Sequence, residues 1–586
     1  MVLPTGGARY TPPVTKGPGV GQRLLLAGVL AFFGFALLYP IWLMVRGGFA
    51  ADPVTGTGFT LAHVWAVFAD PLLREGLVNA LRIAGATTAL SVALALPLAV
   101  LSARCSFPLK GMWNAAVLLP MILPPFVGAV GLRAVLGRSG ALNAALGTEF
   151  DFLGGAKFWA VVAIEALHLY PIIYLNAAAA LANLDPALDE AGESVGAGRV
   201  RRFLTITLPL IRPGLFAGGT IVFIWSFTEL GTPLMLDFYA VTPVQIFNGL
   251  KEMQTSARPY ALSVVMLGMA IAMYALGRLV FGGRAYAMYA KASRAAAERP
   301  LTGLAGVAAT LAFGLVTLLA VAPHVGVVLT SVAAEGSWYR SVLPREFTLE
   351  HFTGAVTHPL AFGAISNSLK LSLMAVALNT GLGLLIGYLI VRTRVRGRAL
   401  LDALSMLPLA VPGLVLAFGY VAMSLRWPFG AGGPLAGLAD VVGANPNPVM
   451  LLVLAYSVRR LPYIVRASVA GLEQTSGELE EAAVNLGASR VRTVRTVVVP
   501  LIAANLIAGA LLAFSFSMLE VSDSMVLAQQ ERHFPLTKAI YSFSERLGDG
   551  AAIASAMGVW GMGLLGVALV GASVLVGKRM GAIFKA

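Results

Sequence analysis

One polar stretch occurs twice in an otherwise apolar chain. The first copy begins Glu190-Ala191-Gly192, has Gly196 six residues after the glutamate, and ends on Ile206, Leu208 and Pro209. The second begins Glu481-Ala482-Ala483, with Gly487, Val497, Val499 and Pro500 at the same offsets. A basic cluster follows each glycine: Arg199, Arg201 and Arg202 in one, Arg490, Arg492 and Arg495 in the other. An exposed acid, small residues that permit close approach and a glycine-permitted turn suit docking by a partner better than bond chemistry. No catalytic residue and no metal site is predicted. The lone Cys105 excludes a disulfide framework and a cysteine metal site.

A second group lies inside apolar segments: His168, Glu229, Arg459 and Glu520. Ionisable residues there are costly and face a bundle interior or water. Glu229 and Glu520 sit late in their segments, so each either lines a pathway and meets a cation or makes a structural polar contact near the outer helix end. Their position favours the contact. Arg459 and Arg460 align with His168 and Leu169 and either line a pathway or seal the bundle.

The elements that carry these residues are membrane spans. Of 586 residues, 58% are apolar and 12% charged, too few charges to cover a soluble protein of this size. The net charge of +14 does not point to nucleic acid, because the arginines cluster at the ends of apolar runs, as the positive-inside rule describes. The expectation is an all-α membrane protein with about twelve transmembrane helices in two tandem six-helix units. Residues 1–22 read as a tail, 23–282 as the first unit, 283–300 as a basic linker and 301–586 as the second unit. Both termini, the linker and both repeated stretches fall on the cytoplasmic side of a bacterial inner membrane.

The duplication extends beyond the repeated stretch. Asn79 to Arg82 matches Asn367 to Lys370, Pro120 and Pro124 match Pro408 and Pro412, Pro171 matches Pro462, and Ser226 with Glu229 matches Ser517 with Glu520. Each repeated stretch should open as a short helix. Asp185 is its N-cap with Pro186 at the first helical position in copy one, and Thr475 with Glu478 has capping-box spacing in copy two. Each glycine then permits a sharp turn.

The pattern E-A-A, three residues, G, nine residues, I-x-L-P resembles the EAA signature of permease subunits of binding-protein-dependent ABC importers. Gly192 replaces the second alanine in copy one, and Val497 and Val499 replace Ile and Leu in copy two. The resemblance implies that Glu190, Ala191, Gly196, Glu481, Ala482 and Gly487 dock a dimeric cytoplasmic ABC ATPase. It also implies an external solute-binding protein as second partner, with lipid around the spans. The chain itself would bind no cofactor; ATP would sit on the partner, since no G-x-x-x-x-G-K-[ST] loop occurs. The fused layout is similar to importers for ferric iron, thiamine and 2-aminoethylphosphonate, and the segments 226–231 and 517–523 favour ferric iron. An ion-gradient-driven transporter of twelve spans would use Glu165, His168, Glu229 and Glu520, but leaves the repeated stretch unexplained.

Overall fold

A computed structural model of the chain describes residues 19–52, 55–281, 298–443 and 445–576. Of the expected tail and linker, residues 1–18 and 282–297 lie outside the described residues, as do Lys578, Arg579 and Lys585. Of the described residues, 76% are helical. In the first half, helix α1 is Val20–Phe49, α2 Pro71–Arg104, α3 Lys110–Ile122, α4 Pro125–Leu146, α5 Lys157–Ala182, α6 Pro186–Ser194, α7 Arg199–Phe227 and α8 Arg258–Phe281. In the second, α9 is Gly303–Val332, α10 Pro359–Arg392, α11 Arg398–Ala410, α12 Gly413–Ser424, α13 Val449–Gln474, α14 Glu478–Asn485, α15 Arg490–Met518 and α16 Gly550–Val576.

Among the described residues, nine helices are long and apolar enough to cross a membrane, and eleven elements qualify if each bent pair counts as one. The twelfth expected segment, α13, is a helix of 26 residues, but Arg459, Arg460 and Arg466 take it outside the apolar set. The two expected spans at 113–136 and 399–424 are not straight. Arms α3 and α4 meet at 97°, and α11 and α12 at 102°. Pro124 and Pro125 at one bend, and Pro412 at the other, supply no backbone N–H, so the helical ladder stops there.

Helices α2 and α10 open alike. Asp70 Oδ1 accepts from the N–H of Leu72 at 2.8 Å, His358 Nδ1 accepts from that of Leu360 at 3.2 Å, and a proline follows each cap. Each helix has 34 residues. At 1.5 Å per residue that is about 50 Å, against a hydrocarbon core of roughly 30 Å. Their carboxyl ends, Arg104 and Arg392, are thereby carried out to the repeated stretches.

Within a half, α2 packs on α5 and α7, and α10 on α13 and α15. Between halves, the first helix is exchanged: α1 packs on α12, and α9 on α4. Small residues permit both crossings. A Cβ on Gly419 would lie 2.7 Å from the Pro40 carbonyl, and Gly131 faces Pro323 and Gly326 just as closely. Tyr420 also donates to the Ala36 carbonyl at 2.7 Å. This reciprocal exchange follows from the duplication and ties the halves together. A short parallel pairing of Cys105–Ser106 (β1) with Arg299–Pro300 (β2) also joins them.

The outer faces are apolar. Leu304, Leu311, Leu315 and Leu318 on α9 are exposed by 88%, 65%, 60% and 68%. Such a stripe is unstable in water and is covered by acyl chains in a bilayer.

Candidate functional site

Two places gather the polar residues. The first is a cavity of about 190 Å³ between the halves, lined by the bends at Pro124, Pro125, Pro412 and Gly413 and by Glu165, His168, Glu229, Arg459, Arg460 and Glu520. The four intramembrane residues singled out in the sequence therefore converge. Glu229 Oε1 accepts from the N–H groups of Gly231 and Thr232, both at 3.2 Å, and so caps the short helix Gly231–Met235. It is a structural contact that also lines the cavity. Glu520, 4% exposed, accepts from Arg459 Nη1 at 3.0 Å and from Arg460. Asp523 lies 3.5 Å from Arg459. The two arginines thus seal α13 against the end of α15 while lining the cavity. Gly413 leaves room beneath them, since a Cβ there would meet the Arg459 guanidinium.

His168 stands where Arg459 stands in the other half. Its Nδ1 is 2.8 Å from the Pro120 carbonyl. A carbonyl only accepts, so Nδ1 carries the proton. This bond satisfies a carbonyl whose helical donor is lost at Pro124.

The second place is the pair of repeated loops. In each, the short helix ends in a Schellman turn. Ala197 N–H donates to the Gly192 carbonyl at 3.0 Å and Gly196 N–H to that of Glu193 at 2.9 Å; Ala488 to Ala483 and Gly487 to Val484 repeat this at 3.0 and 2.9 Å. Gly196 has φ +80° and Gly487 φ +88°, conformations that only glycine adopts freely. The following helix contains one π turn, Phe203–Thr207 or Val494–Val498, just before Pro209 or Pro500.

Asp185 caps α6 as expected, its Oδ1 accepting from Ala187 N–H at 3.0 Å. The capping box of the second loop is not formed. Thr475 instead ends α13, its hydroxyl donating to the Leu472 carbonyl at 3.1 Å and accepting from Arg392 at 3.0 Å, and α14 starts three residues past it, after Gly477.

Glu190, Ala191, Glu481 and Ala482 are exposed. Beside them, Val195 and Val200 are 83% and 74% exposed, and their equivalents Leu486 and Val491 are 90% and 79% exposed. Gly192 is buried: a Cβ there would lie 2.8 Å from Ile206 Cδ1 and 3.3 Å from Arg202, so glycine leaves these side chains room that alanine would take.

Sequence reasoning missed the residues that hold the loops. Arg104 Nη1 lies 3.6 Å from Asp189, and Arg392 Nε bonds Glu480 at 2.7 Å. Arg202 reaches Glu193 at 2.6 Å, which lowers the Glu193 carboxyl below its usual value through that hydrogen bond and charge. A signal existed, since an arginine closes α2 and α10 at matching positions and an acid precedes both glutamates.

This duplicated geometry agrees with comparison to known proteins. The sequence profile of the binding-protein-dependent transport system inner membrane component matches twice, at residues 95–322 and 379–580, well over half the chain. The chain belongs to this family. It is 26% identical to a putative ferric transport system permease protein, FbpB 1, of Haemophilus influenzae, over 86% of this chain and 78% of that protein. It is also 26% identical to the ferric transport system permease protein FbpB of Actinobacillus pleuropneumoniae, over 86% and 71%. A probable molybdenum ABC transporter permease protein of Haloferax volcanii is 31% identical over 44% of this chain and 90% of its own length, the size of one half. The chain is thus a fused, multi-pass permease of an ABC importer.

Proposed function

We propose that this permease forms the pathway for ferric iron, delivered by an external binding protein and driven by a dimeric cytoplasmic ATPase that docks on the two repeated loops. Twelve segments cross the membrane in this reading, with α13 as the polar twelfth, both termini in the cytoplasm and both loops on that side. The observation that carries the docking is the repeated pair of exposed apolar side chains, Val195 with Val200 and Leu486 with Val491. Each pair flanks a glycine turn beside Glu190 or Glu481, and no water-facing loop gains from such exposure without a partner. The iron assignment rests on the names of the full-length relatives. Thiamine and 2-aminoethylphosphonate are the alternative cargoes.

The mechanism is alternating access. ATP binding draws the ATPase subunits together and carries the loops with them; Arg104 and Arg392 pass the movement to α2 and α10, and the halves turn about the cavity. The ATPase must hold the loops differently in its two states for this to work. Co-purification of the chain with its ATPase tests the docking: charge reversal at Glu190 or Glu481 should weaken capture and ATP hydrolysis stimulated by the loaded binding protein. Normal stimulated hydrolysis in both variants would reject it. Cargo uptake by the chain alone, driven by an ion gradient, would favour the secondary-transporter alternative.

A further inference from the structure

The cavity is electrically uneven although its walls are copies. On the second-half wall, two acids meet two guanidinium groups: Glu520 with Arg459 and Arg460, and Asp523 with Arg459. On the first-half wall, His168 and Leu169 stand where those arginines would be. Glu165 and Glu229 line this side, and among the described residues no ion pair reaches either. Glu165 is 1% exposed. Its Oε2 accepts from Ser226 and, at 3.4 Å, from Thr87, while its buried Oε1 has no hydrogen-bond partner. The bonds that Glu229 makes as a cap all use Oε1. With its Nδ1 proton committed to Pro120, a neutral His168 keeps a lone pair on Nε2.

A buried carboxylate with an idle oxygen and no counter-charge is expensive at membrane depth. A multivalent cation passing it relieves that cost, and carboxylate oxygens are the ligands that hard cations prefer. An oxyanion is less well served, because both arginines are already paired with acids and, of their buried donors, only Arg460 Nε lacks a partner. Among the described residues no three His, Cys, Asp or Glu side chains converge to hold an ion. That suits transit, where binding must stay weak enough for release.

We propose that Glu165 and Glu229, with His168 beside them, are the cargo contacts, taking a hard metal cation along the first-half wall while the second-half network stays closed on itself. This rests on the importer reading above and assigns the cation to particular residues. Terbium(III), a hard trivalent cation, is the probe: the permease–ATPase complex in nanodiscs is titrated with it, and its luminescence is excited through tryptophan, since Trp225 lines the cavity. Glu165→Gln and Glu229→Gln should each weaken terbium binding by about tenfold or more, a loss of ~1.4 kcal/mol, whereas Glu165→Asp keeps most of it. Ferric uptake into proteoliposomes should fall with the affinity, while co-purification of the ATPase reports an intact fold. Unchanged terbium affinity and unchanged iron uptake in both glutamine variants overturn the assignment and leave the iron importer standing. A wild-type complex that takes up molybdate and not iron overturns the iron reading, and this assignment with it.

Discussion

In the first repeated loop the arginine after the turn folds back on the short helix before it, α6. Arg202, 7% exposed, bonds Glu193 at 2.6 Å and the Asp189 carbonyl at 3.2 Å. In the second loop Thr493 and Val484 stand at the positions of Arg202 and Glu193, and that clamp is absent. There the hold comes from the neighbouring long helix: Arg392 bonds Glu480 at 2.7 Å and the Thr475 carbonyl and hydroxyl at 2.9 and 3.0 Å. Its counterpart Arg104 is looser, at 3.6 Å from Asp189 and 2.7 Å from the Thr207 hydroxyl. One backbone is therefore braced in two ways. The first loop is stiff in itself and lightly tied to α2; the second is lightly braced and firmly tied to α10. A force applied equally to both should reach the second half more directly.

The sharpest way to break this comparison is to remove the ties. Arg392→Ala leaves Glu480 half-buried without its partner and should cost on the order of 2 kcal/mol at the loop, below the usual range for a fully buried pair. ATP hydrolysis stimulated by the loaded binding protein should drop by about tenfold or more. Arg104→Ala, which breaks one long ion pair and one hydrogen bond from the guanidinium to a neutral hydroxyl, should cost about 1–2 kcal/mol and leave more of the coupling than Arg392→Ala. Equal losses in the two variants would mean that the loops pull alike.

Next come the turns. A Cβ at Gly196 or Gly487 meets nothing within 4 Å, so Gly→Val at either position is opposed by backbone strain alone, about 1–2 kcal/mol. The two variants should lose ATPase co-purification to a similar degree, in contrast to the unequal arginine variants. A large difference between them would show that the partner, rather than the turn, reads one loop more closely.

Much of this arrangement was legible in the sequence. The duplicated stretch, its glycine turns and the order of helices follow from apolar runs and matched offsets, which are local signals. The bends were visible only as prolines: Pro124, Pro125 and Pro412 say that a ladder is interrupted, not that the arms turn by about a right angle, because that depends on what fills the bend. Segment α13 shows the limit of apolarity as a guide. Arg459 and Arg460 look prohibitive in a span until Glu520 and Asp523, some sixty residues on, are seen to neutralise them. The ties from Arg104 and Arg392 join residues 85 and 88 positions apart, beyond any periodicity.

A smaller effect sharpens the account of Gly192. Gly192→Ala restores the more usual residue of the pattern yet places a methyl 2.8 Å from Ile206 Cδ1. Overpacking should outweigh the better helix propensity by about 1 kcal/mol. Protection of the 186–202 amides from hydrogen exchange should fall, and Ile206→Val should restore it by opening the contact. In the second loop Ala483→Gly should loosen α14 by ~0.5–1 kcal/mol through propensity alone, with no compensating change at Val497.

The smallest effect is the pH dependence of the clamp in the first loop. Arg202 holds the Glu193 carboxyl below its ordinary value near 4.5, so the pair stabilises the first loop wherever Glu193 is ionised in the folded state. A lowered folded value means that this contribution is fully present above pH 4.5 and is lost as the pH falls through the folded value. Glu193 is largely exposed, which keeps the effect small and makes it weaken with salt. Hydrogen exchange on the permease, corrected for the intrinsic pH dependence of the chemistry, should therefore show residues 186–202 loosening when the pH is taken from above to well below 4.5, more in the wild type than in Glu193→Gln. In the second loop Val484 stands at the position of Glu193 and cannot titrate. Glu193→Gln should abolish the difference by making the first loop equally loose at both pH values. If residues 186–202 keep their protection through that range, the back-folded arginine is not what stiffens the first loop, and the buried contact of Gly192 with Ile206 must carry the asymmetry instead.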